Sequence, residues 1–358
     1  MDFSIVILKF AMSILDKIKK AKLVGRGGAC FPVGQKWEMV KKAEGKIKYV
    51  VCNASEGEPG VSKDFFILEN FGEKVMAGIK IAINFLSADK AFIYINHKYY
   101  KKLGKILKKL VNNKPIEIFI KPINSGYIGG EESSILNAIE GKRIEPRLRP
   151  PFPVTSGLWQ CPTLINNVET LYNVSLVADS EYKGNRFYTI NGDCLNTGVY
   201  KYPENWAIEK ILKETNNTPG FPFFVQVGGD ASGEILNSGQ LRKTVGGSGS
   251  ITIYSLAKHK PKDLIKKWLD FYSEESCGQC TPCREGIYRL TELMNSSNTD
   301  WALFSDLLDN LTETSFCGLG CVAPVPIKSY IKNVLTGLPN SKIKINGLDN
   351  KKICECFK

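Results

Sequence analysis

No run in this 358-residue chain reaches the roughly 20 consecutive apolar residues that a membrane-spanning helix requires. The nearest, MDFSIVILKFAMSIL at the start, is interrupted by Lys9. It also lacks the small-residue cleavage pattern of a secretory signal and the Arg- and Ser-rich character of a transit peptide. A core-packing amphipathic helix over residues 1–22 is the expectation there. There is no internal repeat, and an apolar content of 43% excludes a disordered chain. No zinc-finger, helix-turn-helix or RNA-binding signature accompanies the formal charge of +12, and the lysines are spread through stretches such as KKAEGKIK and KKLGKILKK. The charge therefore reads as solvated helix faces, with neither nucleic acid nor direct membrane insertion expected. The eleven cysteines, odd in number and without a secretory signal, argue against a disulfide framework as well. Reduced thiols or metal ligands remain, in a cytoplasmic or equivalent reducing compartment.

What is present is an alternation of apolar strands and amphipathic helices. YVVC, KAFIYIN and PIEIFIKP read as strands, and LENFGEKVMAGIKIAINFL, KYYKKLGKILKKLVNN and EESSILNAIEGKR as helices. Strands alternating with helices predict an α/β layer with a mostly parallel sheet over residues 23–180. PRLRPPFP, residues 146–153, is too proline-rich for either regular element. Between 185 and 257 the pattern changes to short strands at glycine-rich turns (RFYTINGD, GFPFFVQVGGD, GGSGSITIYSL) around one helical stretch, ENWAIEKILKETN, which predicts a small α+β domain. Residues 261–335 read as a helical domain with a cysteine cluster at a helix junction, and 336–358 as a short tail.

That cluster carries the strongest chemical signal. ESCGQCTPCREG spaces Cys277, Cys280 and Cys283 three residues apart, so that three thiolates converge on neighbouring iron atoms. Tetrahedral zinc more often takes two separated pairs. The spacing favours a [4Fe–4S] cluster over zinc, and SFCGLGC offers Cys317 or Cys321 as the fourth thiolate. Cys30, Cys52, Cys161 and Cys194 are isolated and read as small buried apolar residues, and Cys354 and Cys356 as free thiols in the tail.

The glycine-rich GRGGACFPVGQK does not match G-x-G-x-x-G, so a standard dinucleotide turn is not expected. Gly25, Gly27, Gly28 and Gly34 nevertheless allow backbone to approach a flat or phosphorylated ligand, with Arg26 and Lys36 adding positive charge. GYIGGEESSILNAIEG repeats the theme with Gly129 and Gly130 before Glu131 and Glu132, acids that either cap the following helix or bind hydroxyls. PTLINNVETL is expected to open a helix whose Asn166, Asn167 and free N–H groups suit a phosphate.

Taken in order, GRGGACFPVGQKW, YVVCNASEGEPGVSKD, GYIGGEESSILNAIEGKRIEPRLRPPFPVTSGLW, PTLINNVETL, SCGQCTPCREG and FCGLG resemble the NADH-binding flavoprotein subunit of respiratory complex I. The same family includes the diaphorase subunits of soluble hydrogenases and formate dehydrogenases. The resemblance covers residues 14–335, and VQVGGDASGEIL resembles that family's β-grasp (SLBB) domain. It implies a Rossmann-like FMN/NADH domain, an SLBB-like domain and a helical-bundle [4Fe–4S] domain. It further implies FMN held by Gly25, Arg26, Gly27, Gly28, Lys36, Asn53, Ser55, Glu56, Tyr127, Gly130, Glu131, Asn166 and Asn167. NADH is implied to stack against Phe31 and Phe152, with Glu58 and Glu132 on its ribose groups. The implied cluster ligands are Cys277, Cys280, Cys283 and Cys317. Hydride would pass from NADH to FMN, then single electrons to the cluster and to a partner redox protein, in that family a thioredoxin-like [2Fe–2S] protein. No side chain needs to act as a general acid or base.

Four positions depart from the family pattern. Ser55 stands for an aspartate, Cys30 for a glycine, Met39 for a second stacking phenylalanine and Cys321 for an aspartate. They motivate an alternative, an electron-relay or scaffold protein that keeps the cluster but has an impaired flavin site. A zinc-stabilised nucleic-acid module is the third reading.

Overall fold

The computed structural model describes residues 12–111, 115–296 and 299–335. Residues 1–11 of the expected N-terminal helix and the tail carrying Cys354 and Cys356 lie outside the described residues. Helix α1 (Ile14–Lys20) starts at Ser13, whose Oγ accepts the Asp16 N–H. Helix α2 (Val33–Lys42) corrects the reading of its stretch as glycine-rich loop: buried Val33, Trp37 and Val40 fall on one helical face. Lys48 closes the end of α2, its Nζ donating to the carbonyls of Val40, Lys41 and Ala43 at 2.7–3.0 Å.

Strands β1 (Tyr49–Ala54), β2 (Lys90–Ile95), β3 (Ile116–Ile120) and β4 (Thr163–Asn167) form a parallel sheet in the order β3-β2-β1-β4. Period-two alternation decides its faces. Val50, Cys52 and Ala54 of β1 and Ala91, Ile93 and Ile95 of β2 point to one core, against α3 (Lys63–Leu86), α4 (His97–Val111) and α6 (Val168–Ala178). Val51, Phe92, Tyr94 and Ile165 point to the other, against α5 (Glu132–Ile139). The layer is Rossmann-like. PTLINNVETL opens helix α6 as expected, with Asn167 as its cap, although Asn166 and Asn167 also end β4.

A second, mixed sheet contains β5 (Asn185–Gly192), β6 (Gly198–Pro203), β7 (Phe223–Val227), β8 (Glu234–Asn237) and β9 (Ser250–Ser255), in the order β6-β5-β9-β7-β8, with α7 (Ile208–Glu214) packed on it. Strand β6 was not apparent in the sequence: five of its six residues are half-buried and the sixth exposed, so no alternation marks it. The chain continues through α8 (Pro261–Glu275), α9 (Thr281–Asn295), α10 (Trp301–Thr314), α11 (Gly318–Val322) and α12 (Pro324–Tyr330), then a π turn to Leu335. Their core holds Trp268, Tyr272, Leu290, Phe304 and Tyr330, and includes Phe224, Ile235 and Tyr254 from the second sheet. Among the described residues no helix is long and apolar enough to cross a membrane.

Candidate functional site

All four parallel strands end on one edge, where such sheets bind their ligands. Four loops meet there. The first, 25–31, is closed by the Gly25 N–H donating to the Phe31 carbonyl at 2.8 Å. Gly27 lies against Asn167, so close that a Cβ would come within 3.3 Å of the asparagine Cβ. Phe31 and, on another loop, Phe152 keep 43% and 49% of their surface exposed, enough to offer ring faces. Met39 is exposed, and so is Cys30, which corrects the expectation of a buried thiol; of the four isolated cysteines Cys52 alone is buried, Cys161 and Cys194 being half-buried. Arg26 differs from expectation. Its N–H binds Thr170 Oγ1, but its guanidinium is buried against Glu204, beyond β6, and Tyr182. The charge expected at a cofactor instead holds the loop to the second sheet.

Lys36 and Arg149 supply positive charge on the open side. Lys36 pairs with Glu132 at 2.9 Å, and Arg149 reaches both Glu131 and Glu132. Burial alone would raise the Glu132 carboxyl, but the two cations prevail and hold it below its ordinary range. Glu131 caps α5, accepting the Ser133 and Ser134 N–H groups at 2.9 Å.

Under this rim the expected flavin residues hold one another. Asn53 donates to the Gly130 carbonyl at 3.0 Å, and its Oδ1 accepts both the N–H and the hydroxyl of buried Ser55. A Cβ at Gly130 would approach Ser55 Oγ to 2.6 Å, so a side chain there requires Ser55 to move. Trp37 Nε1 fixes Asn166 at 2.9 Å.

Beneath them lies a charged cage that sequence reasoning missed. Lys63, 2% exposed, sits between Asp64 (2.6 Å), Asn167 (3.2 Å) and Glu169 (3.3 Å). Glu56 completes it by capping α3, accepting the Asp64 and Phe65 N–H groups and the Tyr99 hydroxyl. Burial, then the neighbouring Asp64, pushes the Glu56 carboxyl up to about 7 against the pull of Lys63. The available signal was a lysine-aspartate pair, SKD, directly before the apolar run FFIL.

Glu58, expected on a ribose, is occupied elsewhere. One oxygen accepts the Tyr127 hydroxyl at 2.6 Å, and the other accepts the N–H groups of Ala231 and Ser232 and the Ser232 hydroxyl at 3.0 Å. It pins the second sheet to the rim, and Tyr127 with it.

The thiols gather where α8, α9 and α11 meet. Cys280 and Cys317 occupy the N-caps of α9 and α11, and Cys283 lies 3.3 Å from the Ser276 hydroxyl. Cys283 lies within the field of Cys280, Cys277 and Cys321, and Cys317 within that of Glu131 and Cys277. Arg143, shortly after α5, donates to the Cys277 carbonyl at 3.3 Å, and Ile128, shortly before it, shares a core with Cys280 and Cys283, so the thiol site borders the loops around α5. Burial pushes Cys283 up to about 11 and Cys317 up to about 12, the latter despite N–H groups from Leu319 and Gly320. Metal binding here releases protons. Among the described residues no three His, Cys, Asp or Glu side chains close around one metal ion. An all-sulfur donor set spread over separate corners fits an iron–sulfur cluster, which takes one thiolate per iron. Cys321, one helical turn after Cys317, is a fifth thiol, directed at the Ser315 carbonyl.

Comparison with known proteins agrees with this geometry. Residues 18–176 match the family model of the Nuo51 FMN-binding domain, and 263–335 that of the NADH-ubiquinone oxidoreductase-F iron-sulfur binding region. The NADH-quinone oxidoreductase F subunit of Aquifex aeolicus is 35% identical, over 87% of this chain and 81% of that protein. The chain belongs to the family of NADH-quinone oxidoreductase F subunits. The family likeness extends to the alpha subunit of the NAD-reducing hydrogenase HoxS of Cupriavidus necator, 30% identical over 93% of this chain, which spans 61% of that protein. In the crystal structure of an H2-reduced NAD+-reducing [NiFe]-hydrogenase, 92% of this chain superposes with a TM-score of 0.83 at 29% identity, covering 63% of the hydrogenase chain.

Proposed function

We propose that this chain oxidises NADH at the edge of the parallel sheet and delivers the electrons to the thiol site beside it. The observation that carries this is adjacency: Ile128 of the expected flavin loop shares one core with Cys280 and Cys283, against which Tyr127, Cys277 and Cys317 also pack. The chain is an NADH-oxidising oxidoreductase component that uses FMN and a [4Fe–4S] cluster. Bound there, FMN supplies a hydride acceptor for NADH and a one-electron donor for the cluster. Gly25, Gly27, Gly28 and Gly130 let backbone approach the cofactor, and Lys36 and Arg149 bring positive charge. Asn53, Ser55, Asn166 and Asn167 form the floor, and the α6 N-terminus at Asn167 favours a phosphate. Phe31 and Phe152 offer exposed rings to the nucleotide, and Glu132 a carboxylate to its hydroxyls. Arg26, Glu56, Glu58 and Tyr127 act from behind, by fixing the loops that carry the others. Cys277, Cys280, Cys283 and Cys317 hold the cluster.

We assign residues 23–180 to the FMN/NADH domain, 185–257 to an SLBB-like β-grasp domain and 261–335 to the cluster domain. A five-stranded mixed sheet with one helix supports the middle assignment. The chain works within a multi-subunit redox assembly, and a thioredoxin-like [2Fe–2S] protein in the cytoplasm is the partner of choice. Anaerobic addition of NADH to the reconstituted chain should bleach a flavin band and reduce an iron–sulfur signal. Iron without flavin would favour the relay reading, and zinc without iron the nucleic-acid reading.

A further inference from the structure

Lys121 follows directly on β3, is 7% exposed, and is not accounted for by the site described above. Its Nζ donates to the Gly126 carbonyl at 2.5 Å. The N–H of the same peptide unit, that of Tyr127, donates to Glu275, the last residue of α8 and two residues before Cys277. One peptide group is thus gripped at its oxygen by a buried ammonium and at its nitrogen by a carboxylate. Two further observations show that the grip is built in. Gly126 has φ +55°, and a Cβ on it would lie 2.2 Å from Glu275 Oε2, so the carboxylate takes the space a side chain would need. At the other end, a Cβ on Gly129 would lie 3.0 Å from Lys121 Cε, so the lysine stem runs beneath the loop. Burial lowers the ammonium's pKa to about 8, with Glu275 opposing. Helix α8 is itself fixed at mid-length, where Trp268 and Tyr272 donate to the carbonyls of Asp230 and Ala231. It therefore transmits a fixed position to the thiol loop at its end.

We propose that Lys121 and Glu275 are positioning residues that clamp the Gly126–Tyr127 peptide and so set where the flavin-side loop 126–132 stands against the thiol loop. The inference rests on the flavin-to-cluster reading above. Charged hydrogen bonds on both ends of one peptide are stronger and more directional than neutral ones. Small misplacements between reacting centres are costly in rate.

The test uses the holoprotein and two readouts. In Lys121→Met and Glu275→Leu, the ratio of cluster-reduction rate to flavin-bleaching rate after NADH mixing should fall by about fivefold or more. Hydrogen exchange at the Tyr127 amide should rise by about tenfold or more. Glu275→Gln retains an acceptor oxygen for Tyr127 and should recover most of both effects. Gly126→Ala, which displaces the carboxylate without altering charge, should reproduce the loss. A purely structural role would change stability or cofactor content and leave the ratio unmoved. Unchanged ratio and unchanged exchange in Lys121→Met overturn the clamp. If the native protein shows no flavin bleaching by NADH, the functional reading fails, and amide exchange alone still decides the clamp.

Discussion

The charged cage under the sheet edge and the thiol loop beside it solve opposite problems. In the cage Lys63, Asp64 and Glu169 are buried and Glu56 half-buried, yet each finds partners within the chain. In the thiol loop the buried cysteines are pushed toward holding their protons. The cage is complete as folded protein, whereas the loop's thiols become ligands only when metal displaces protons. Order at the flavin side comes from folding, and order at the cluster side from folding plus metal.

Removing a ligand should therefore separate the two regions most sharply. Cys283→Ser is expected to reduce iron from about four atoms per chain to near zero. The helical part should lose stability while flavin content stays near native. Equal loss of flavin and iron would show the two regions to be one cooperative unit.

Lys63→Met tests the other side, since it leaves three carboxyl groups around a missing cation. A cost of ~3–5 kcal/mol is expected from denaturant unfolding, with flavin lost before iron. A cost below about 1 kcal/mol, the scale of exposed ion pairs, would mean the cage relaxes into water.

The region that sequence patterning exposed best is the parallel sheet. β1 and β2 face a core on each side, and their near-continuous apolar runs announce strands buried on both faces. Helix α2 was obscured because Pro32 and Gly34 flank its start, although Val33, Trp37 and Val40 carry the helical spacing. The cysteine spacing announced the thiol loop directly. The cage was not legible: Lys63 meets Asn167 only because β1 and β4 pair in a register that sets Asn53 beside Asn167. The engagement of Glu58 and Arg26 was not legible for a related reason. Their partners, Ala231, Ser232 and Glu204, lie far along the chain, and no local spacing encodes that meeting.

Glu56 offers a subtler probe of the cage. A carboxyl with a folded pKa raised from 4.5 to about 7 is protonated more readily in the folded than in the unfolded state. Its contribution to stability is thus largest below 4.5 and declines as pH rises toward 7. Glu56→Gln should remove that slope, so its stability relative to the native chain improves from pH ~5 to pH ~8. Parallel stability curves would contradict the raised pKa.

The smallest expected effect lies on the floor of the rim. Gly130→Ala should destabilise by about 1–3 kcal/mol through its contact with Ser55 Oγ. Adding Ser55→Ala leaves the new methyl 3.5 Å from the Ser55 Cβ, an ordinary contact, and should restore stability. Flavin affinity should remain weakened in the double variant, because the methyl still blocks close approach. Full recovery of flavin would mean that Gly130 is there only for packing.

The engagement of Arg26 and Glu58 has a consequence for how the molecule can be divided. Each belongs to the α/β layer by sequence but also binds a segment that connects strands of the second sheet, Arg26 at Glu204 and Glu58 at Ala231 and Ser232. An excised layer would present a guanidinium without its carboxylate and a carboxylate without its N–H donors, at the very loops meant to receive a cofactor. A transplant of the layer alone onto another scaffold should therefore reproduce the sheet but not the pocket. The portable unit is the layer together with Glu204 and the 230–232 turn.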